Sequence, residues 1–300
     1  MSIVMRLMTF MNVRIRNLLI ALLLMLPFLV LYVIFTIVPA IYAFYYSLYR
    51  TSPTGDKYVG LGNYVYYLSG QDSRFVYGMT NVLIYGLFNA LSILISLLIA
   101  WIFSSPYMKS KFSNLVLIIM LLPMVISWVA LGMALNQSTS SIIGIIRYFN
   151  NNIEIQHPAA SLSFAVYYVG LMLVWGSLGY NTMLLISTIK SIPQDYIDAA
   201  KVDGASEWQI FRHVTLPLIK NILIFILVNA AIVAFNIFDP VATLTGGGPA
   251  WVSTSVAFYA ARQLMYAYNY GGACAMGVIT IVIVLTLSLL QYRLIYKRLA

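Results

Sequence analysis

The sequence predicts an all-α, polytopic membrane protein built as a single transmembrane domain, residues 1–300. Of its 300 residues, 62% are hydrophobic and only 8% are charged, whereas a soluble domain carries about 25% charged residues. Long apolar blocks recur along the chain, several of them longer than the ~20 residues that a helix needs to cross a bilayer. Helices are the expected spanning elements because lipid leaves no backbone group unpaired and the sequence lacks the alternation typical of barrel strands.

Six segments meet the length requirement and are predicted to be transmembrane helices. The first is too long for the apolar core of a secretory signal peptide, so it is expected to remain as a membrane anchor. The connections on the outer side (50–75, 136–160 and 244–270) are too short to form a separate globular domain. The predicted spans are residues 18–46, 76–103, 113–135, 161–189, 218–243 and 271–291.

The basic residues determine the predicted orientation. With the N-terminus inside the cell, the inner segments carry 12 of the 17 Lys and Arg residues and the outer segments carry the other five. The positive-inside rule then places both termini in the cytoplasm. The same rule accounts for the net charge of +9, because the basic residues are scattered among apolar blocks instead of forming one face that could bind nucleic acid. Lipid is therefore an expected partner and nucleic acid is not.

An acidic insert, residues 192–218, separates the fourth and fifth predicted spans on the cytoplasmic side. Pro193 suits the first turn of a helix, and Gly204 supplies the left-handed conformation that often ends one. Ser206, followed by Gln209, predicts a capping box that starts a second helix. That second helix should end or bend near residue 216, just before a proline. The insert holds four of the eight acidic residues of the chain, which are Asp195, Asp198, Asp203 and Glu207.

Two interpretations of the insert follow from its residues. The small side chains of Ala199, Ala200 and Ala205 would let a soluble partner protein approach closely, with Asp203 as a polar anchor beside the turn. Alternatively, the insert is an amphipathic loop that lies on the membrane surface. A membrane-spanning protein has little need for two charged helices at this place unless another protein contacts them, which favours the first interpretation.

The insert also resembles a family motif. The run Asp198-Ala199-Ala200, followed by Asp203-Gly204-Ala205 and later by Leu216-Pro217, looks like the cytoplasmic Glu-Ala-Ala signature of the membrane subunits of binding-protein-dependent ABC importers. Asp198 stands where the family pattern has Glu, so the charge is kept and the reach is shortened. The resemblance implies a coupling loop, residues 190–217, that inserts into a cleft on a separate ATPase subunit and transmits its closure to the spanning helices.

Two further motifs resemble the carbohydrate-uptake branch of that family. Residues 59–64, Val-Gly-Leu-Gly-Asn-Tyr, are similar to its first outer loop, and residues 245–249, Thr-Gly-Gly-Gly-Pro, with Thr254 and Gly271-Gly272, are similar to its last outer segment. The resemblance is to the permeases of the maltose and glycerol-phosphate type. It implies a second, homologous permease, two ATPase subunits, an extracytoplasmic sugar-binding protein and a location in the cell membrane of a prokaryote.

No catalytic or metal-binding pattern occurs in the sequence. The phosphate-binding pattern Gly-x-x-x-x-Gly-Lys-Ser/Thr is missing, so ATP is expected to bind to the partner ATPases and this chain is expected to hold no cofactor and no metal. His157 and His213 fall on opposite sides of the membrane in the predicted topology, and Cys274 is the only cysteine. The chain is therefore not expected to be an enzyme.

Polar and aromatic residues in the fourth and fifth spans predict a path for a sugar. Such a path needs hydrogen-bonding groups and aromatic faces inside an apolar bundle, and polar groups at membrane depth tend to face a cavity. The alternative is hydrogen bonding between helices that only stabilises the bundle. Tyr180 and Asn236 rank first because they match or adjoin positions that line the sugar site in maltose-type permeases. The candidate path residues are Tyr180, Asn181, Asn229, Phe235, Asn236 and Asp239.

Asp239 has two interpretations. A carboxylate at mid-membrane is costly to insert, yet this one precedes Pro240 near the outer end of its span, where it could cap a local break in the helix. The other interpretation is polar gating or contact with the sugar.

Together these observations predict a permease subunit of an ATP-driven sugar importer. An ion-driven secondary transporter is the first alternative, although Asp239 is the only candidate for an ion-coupling residue. A membrane receptor or assembly scaffold is the second. Because the predicted spans contain almost no basic residues, a neutral sugar is favoured over a phosphorylated one.

Overall fold

The computed structural model describes residues 13–104, 111–149 and 156–296, which are mostly helical. Two short strands, β1 (Tyr49–Arg50) and β2 (Lys57–Tyr58), pair antiparallel in a small hairpin. The helices of the N-terminal half are α1 (Val13–Tyr32), α2 (Val38–Tyr46), α3 (Gly62–Leu68), α4 (Ser73–Ser104), α5 (Lys111–Val125) and α6 (Trp128–Phe149). Those that follow are α7 (Ala165–Lys190), α8 (Gln194–Val202), α9 (Glu207–Ile210), α10 (Leu216–Leu218), α11 (Lys220–Phe235), α12 (Asp239–Leu244), α13 (Val256–Tyr266) and α14 (Tyr270–Tyr296).

Among the described residues, five helical segments are long and apolar enough to cross a membrane, or six if one bent pair counts as a single span. The bent pair is Glu207–Leu218 with Lys220–Phe235, which meet at an angle of 68°. The first, second, fourth and sixth predicted spans correspond closely to single segments. The five segments are Ile20–Tyr46, Ser73–Ser104, Trp128–Ile146, Ala165–Lys190 and Tyr270–Arg293.

The third predicted span, residues 113–135, is not one helix. It is broken between α5 and α6, and α6 continues to Phe149 through residues that were expected to form a connection. Pro123 weakens the last turn of α5, and Ser127 accepts a hydrogen bond from the Ala130 N–H at the start of α6. Hydroxyl groups at residues 139–141 donate to carbonyls one turn earlier in α6, so a stretch that looks polar in the sequence is satisfied within the helix.

The fifth predicted span, residues 218–243, is also broken. The chain leaves α11 after Phe235, passes through three non-helical residues and begins α12 at Asp239. Pro240 lies in the first turn of α12, where its missing N–H needs no helical partner. The polar and aromatic residues predicted to line a path are therefore presented by an interrupted helix.

Helices α4 and α7 form the closest pair at the centre of the bundle. Gly170 lies against the Phe88 ring, because a Cβ atom at residue 170 would overlap that ring. Further along the same interface the Ser92 and Ser177 hydroxyls are 2.7 Å apart, and the Ser96 hydroxyl donates to the Leu178 carbonyl at 3.3 Å. Small residues and hydrogen bonds are the usual means by which helices associate in lipid.

Helix α4 connects the two ends of the bundle. Near its N-terminal end Asn81 contacts residues 252–254, and near its C-terminal end Trp101 contacts Trp208 of the acidic insert. Twenty residues of α-helix separate Asn81 from Trp101, which corresponds to about 30 Å, the thickness of the hydrocarbon layer. The acidic insert and the glycine-rich segment, residues 245–255, therefore lie at opposite ends of the bundle.

Gly271 is required where the first span reaches α14. A Cβ atom there would overlap the Tyr49 backbone carbonyl, whereas a Cβ atom at Gly277 of the same helix meets nothing within 4 Å. We expect Gly271→Ala to lower the free energy of unfolding by about 1–3 kcal/mol through overpacking. Thermal unfolding of the purified protein in detergent measures this effect.

Gly277→Ala is the matched control, because the same change on the same helix meets no neighbour and gains helix propensity. Equal melting temperatures for the two variants would contradict the packing described at Gly271.

Candidate functional site

A cavity of about 460 Å³ lies between α4, the junction of α5 and α6, α7 and the interrupted fifth span. We call it the central cavity. Five of the six predicted path residues line it, which are Tyr180, Asn181, Asn229, Asn236 and Asp239. Phe235 is not among the lining residues; its ring is buried in a cluster with Tyr259 and Met276. The structure therefore brings five of the six residues together at one cavity and places the Phe235 ring on another face of α11.

The cavity is polar at several points and carries one carboxylate. Asp239 is the only charged side chain among its described lining residues, and it lies in the first turn of α12, where the helix dipole favours negative charge. The predicted capping role is wrong: Phe238 occupies the cap position, and no side chain caps this helix. Asp239 is the first residue of the helix and Pro240 is the second, so Asp239 lies one residue past the cap position.

Sequence reasoning missed Asn89, Trp128 and Ser177, which also line the cavity. The sequence contains a spacing pattern that could have identified Asn89. Polar or hydroxyl-bearing residues recur on α4 at intervals of four, four, three and four, which is the spacing of one helix face, and all of them are buried. We call this row the α4 stripe; it consists of Asn81, Tyr85, Asn89, Ser92 and Ser96.

The break in the fifth span is held by contacts from a distant segment. The Ser255 hydroxyl donates a hydrogen bond to the Ile237 carbonyl and accepts one from the Phe258 N–H at the start of α13. The ring centroids of Phe238 and Phe258 are 5.7 Å apart. Because residues 236–238 line the central cavity, these contacts determine the shape of its wall.

The glycine-rich segment, residues 245–255, is fixed to the α4 stripe. Asn81 donates to the carbonyls of Val252 and Thr254 at 2.7 and 2.8 Å, and the Tyr85 hydroxyl donates to the Ser253 carbonyl at 2.7 Å. The Trp251 ring lies within 4.9 and 5.8 Å of two guanidinium groups. Gly246 and Gly247 have φ angles of +58° and +80°, which glycine adopts without strain.

A polar cleft of about 680 Å³ lies beside the glycine-rich segment. In it the Tyr259 hydroxyl donates to Asp72 at 2.6 Å, and burial together with this bond raises the pKa of Tyr259. Burial also raises the pKa of Tyr67 to about 12, with a further contribution from the Asp72 charge. Both phenols therefore stay protonated at neutral pH, and the Tyr259 hydroxyl donates its hydrogen bond to Asp72.

The acidic insert has the helix–turn–helix form that the sequence predicts. Helix α8 ends before Gly204, whose φ is +77°, and the Ser206–Gln209 capping box starts the next helix. One detail differs, because the second helix passes through Pro217 and bends at Ile219. A π turn, Phe211–Thr215, precedes Pro217. Pro217 lies in the first turn of α10, where its missing N–H needs no helical partner.

The predicted coupling residues are divided between a hollow and the helices that flank it. Ala200, Asp203, Gly204 and Ala205 line a hollow of about 300 Å³ on the surface of the insert. Asp198 and Ala199 are exposed on α8, and the Asp198 carboxylate accepts a hydrogen bond from Gln194. Leu216 and Pro217 form the start of α10.

Three aromatic rings join the insert to α4. The ring centroid of Trp101 lies 5.6 Å from that of Trp208 and 5.0 Å from that of Phe211. The Trp208 and Phe211 centroids are 5.5 Å apart. We call this group the aromatic junction. Aromatic pairs at such distances contribute about 0.5–1.5 kcal/mol each beyond the area they bury, so the junction holds the insert against the C-terminal end of α4.

The described helices thus form a bundle with a central cavity and a helical insert at one end. The chain belongs to the family of binding-protein-dependent transport system inner membrane components, whose pattern matches residues 92–300. It is thus an ABC-transporter permease subunit.

Similar proteins support this assignment along the rest of the chain. The trehalose/maltose transport system permease protein MalF of Thermococcus litoralis is 30% identical over 287 residues, covering 90% of this chain and 92% of that protein. The sn-glycerol-3-phosphate transport system permease protein UgpA of Yersinia pestis is 26% identical over 290 residues, covering 92% and 94%. A bacterial alginate ABC transporter, solved with its pentasaccharide-bound periplasmic protein, shares the fold with a TM-score of 0.77 and 21% identity over 94% of each chain.

Removal of the Ser255 hydroxyl should loosen the break in the fifth span. Ser255→Ala loses a helix cap worth about 0.5–2 kcal/mol together with the bond to the Ile237 carbonyl. We expect amide hydrogen exchange in α12 and in the first turn of α13 to become on the order of fivefold faster. Ser255→Thr keeps the hydroxyl and should restore the slow rates.

Ser187→Ala is the control, because Ser187 bonds only to its own helix at an exposed position. Exchange in α12 that is the same in Ser255→Ala as in the unmodified protein would show that Ser255 does not hold the break.

Proposed function

We propose that this chain forms half of the path by which an ATP-driven importer carries a neutral sugar across the cell membrane of a prokaryote. In this proposal residues 1–300 form one domain with six spans and both termini in the cytoplasm. The bent pair supplies the fifth span, and the distribution of basic residues supports the orientation.

The central cavity carries the proposal. Amide groups from α7 and α11, the Tyr180 phenol and the Trp128 and Phe238 rings meet there, which is the combination that a hydroxyl-rich ligand with apolar ring faces requires. Its described lining includes a carboxylate and no basic residue, an arrangement that disfavours a phosphorylated or acidic sugar. This charge balance supports a neutral sugar such as those in the name of the Thermococcus relative over the phosphate in the name of the Yersinia relative.

The acidic insert is proposed to dock an ATPase subunit. Its second helix is anchored by the buried side chains of Ile210 and Phe211, whereas most of its remaining surface is exposed. The hollow at Gly204 is lined by small and polar residues that a partner side chain could enter. The proposed contact residues are Asp198, Ala199, Ala200, Asp203, Gly204, Ala205, Leu216 and Pro217.

A second permease and a binding protein complete the proposed assembly. In the first span, Ile20–Tyr46, none of the apolar window is buried within this chain, so its surface is left for lipid or for the partner permease. The glycine-rich segment and the cleft beside it lie at the end opposite the insert, where an external sugar-binding protein would deliver its ligand.

Reconstitution of the complete complex tests the proposal. The chain is affinity-purified in mild detergent, its co-purifying subunits are identified by mass, and the complex is placed in proteoliposomes with the binding protein. We expect a second permease, an ATPase with a phosphate loop, and uptake of a neutral sugar that requires ATP. Uptake by the chain alone that collapses with an uncoupler would contradict the proposal and favour an ion-driven carrier.

Gly204 should affect docking of the ATPase through its backbone conformation alone. A Cβ atom at this position meets nothing within 4 Å, but φ of +77° is strained for a side-chain-bearing residue by roughly 1–2 kcal/mol. Gly204→Val should therefore weaken ATPase binding by roughly 5- to 30-fold, measured by titrating the ATPase onto permease pairs in nanodiscs. Gly204→Asn should bind nearly as well as the unmodified chain, because Asn tolerates this conformation; equal losses in the two variants would argue against a backbone cause.

The aromatic junction should couple ATP hydrolysis to transport. Trp101→Ala removes two ring pairs, or about 1–3 kcal/mol, while leaving the exposed surface of the insert in place. We expect ATP hydrolysis to continue and the amount of sugar moved per ATP to fall. Trp175→Ala is the control, because Trp175 is 43% exposed and forms no ring pair among the described residues; a normal sugar-to-ATP ratio in Trp101→Ala would exclude the junction from coupling.

A further inference from the structure

We infer that Asn89 recognises a hydroxyl group of the transported sugar through its side-chain amide. The inference rests on the proposed function and extends it, since Asn89 belongs to α4 and to none of the helices from which the sequence predicted the path. Its role would be to determine specificity within the central cavity.

The α4 stripe shows what its polar residues ordinarily do. Four of its five members have protein partners. Asn81 and Tyr85 bond to the glycine-rich segment, and Ser92 and Ser96 bond to α7. In membrane helices such bonds satisfy polar groups that lipid cannot. The stripe therefore joins α4 to the glycine-rich segment at one end and to α7 in the middle of the bundle, and Asn89 between these two groups is the exception.

Asn89 is buried and its amide nitrogen lacks a partner. Its side chain is 5% exposed, and its Nδ2 atom makes no hydrogen bond within the described part of the chain. Of the described residues with such an unpartnered buried atom, Asn89 is the one that lines the central cavity. A buried donor without an acceptor is unfavourable, so a turn of the amide that brings Nδ2 into the cavity and onto a ligand hydroxyl removes that cost.

The neighbouring polar groups of the cavity have more of their hydrogen-bonding positions occupied. The Ser177 hydroxyl is bonded to the Leu173 carbonyl at 2.7 Å and to Ser92, and the Asn181 amide points to the Ser92 hydroxyl at 3.5 Å. Asn89 has two donor hydrogens and an acceptor oxygen. The terminal torsion of the Asn89 side chain is soft. A half-turn about it therefore exchanges which end of the amide, nitrogen or oxygen, faces a ligand in the cavity.

Singly deoxygenated sugars test the inference. Glucose, maltose, trehalose and their monodeoxy derivatives are offered to the complete importer in proteoliposomes, and maximal uptake rates are compared for each hydroxyl position. In the unmodified complex we expect one position to be required, with a loss of roughly 5- to 150-fold when its hydroxyl is removed. In Asn89→Leu the ratio of the uptake rates of the parent sugar and that deoxy sugar should fall to about 1, while the preferences at the other positions persist. The binding protein is the same in each case, so its own selectivity cancels.

Thr182→Val is the matched control. Thr182 is also buried with an unpartnered side-chain oxygen but does not line the cavity, so its replacement should leave every preference unchanged. Loss of the same preference in Thr182→Val, or an equal slowing of all sugars in Asn89→Leu, would overturn the inference and leave Asn89 with a structural role.

Thermal unfolding gives a second, independent test. Replacing an unpartnered buried amide by Leu should leave the melting temperature unchanged or raise it, whereas Asn81→Leu breaks two bonds and should lower it. A lowered melting temperature for Asn89→Leu would show that the amide is satisfied in the folded protein and would overturn the inference. Absence of ATP-dependent uptake of any sugar by the unmodified complex would instead contradict the proposed function.

Discussion

The packing of α4 is the constraint on which the rest of the structure depends. This helix is long enough to cross the membrane, and one face of it carries buried polar side chains from Asn81 to Ser96. Because lipid offers no hydrogen bonds, that face must be paired with protein, and its partners are the glycine-rich segment at one end and α7 in the middle. The aromatic junction attaches the acidic insert to the other end. Contacts along this one helix thereby position both ends of the bundle and the cavity between them.

The fifth span has the opposite character. It bends by 68° at Ile219 and is interrupted again at residues 236–238, beside the central cavity. An interrupted helix is stable at membrane depth only where neighbouring protein satisfies its free backbone groups, and Ser255 does so for the Ile237 carbonyl. In the proposed importer, the continuous α4 would transmit a movement of the insert, and the twice-broken fifth span would change shape around the ligand.

The sequence predicted the elements that depend on local chemistry. Gly204 and the Ser206–Gln209 box form the turn and cap expected from them, and polar residues on α7 and α11 meet in one cavity. It did not predict features that depend on tertiary partners. The hydroxyls of residues 139–141 look like a loop until their helical acceptors are known, and Asp239 misses the cap position by one residue. Phe235 and Asn236 are adjacent in the chain, yet one faces the core and the other the cavity. The α4 stripe was visible as a periodic pattern, but its meaning depends on which of its residues lacks a partner.

The most direct test of the account is a cross-link across the aromatic junction. Cys274 is the only cysteine, so Trp101→Cys and Phe211→Cys in a Cys274→Ser background give a unique pair, which a short bifunctional thiol reagent can join. Without the reagent, we expect ATP hydrolysis with little sugar uptake, because the insert is no longer attached to α4. After cross-linking, the amount of sugar moved per ATP should return toward that of the unmodified complex. A cross-link that forms and leaves transport uncoupled, or that blocks it, would contradict the claim that the insert and α4 move as one body.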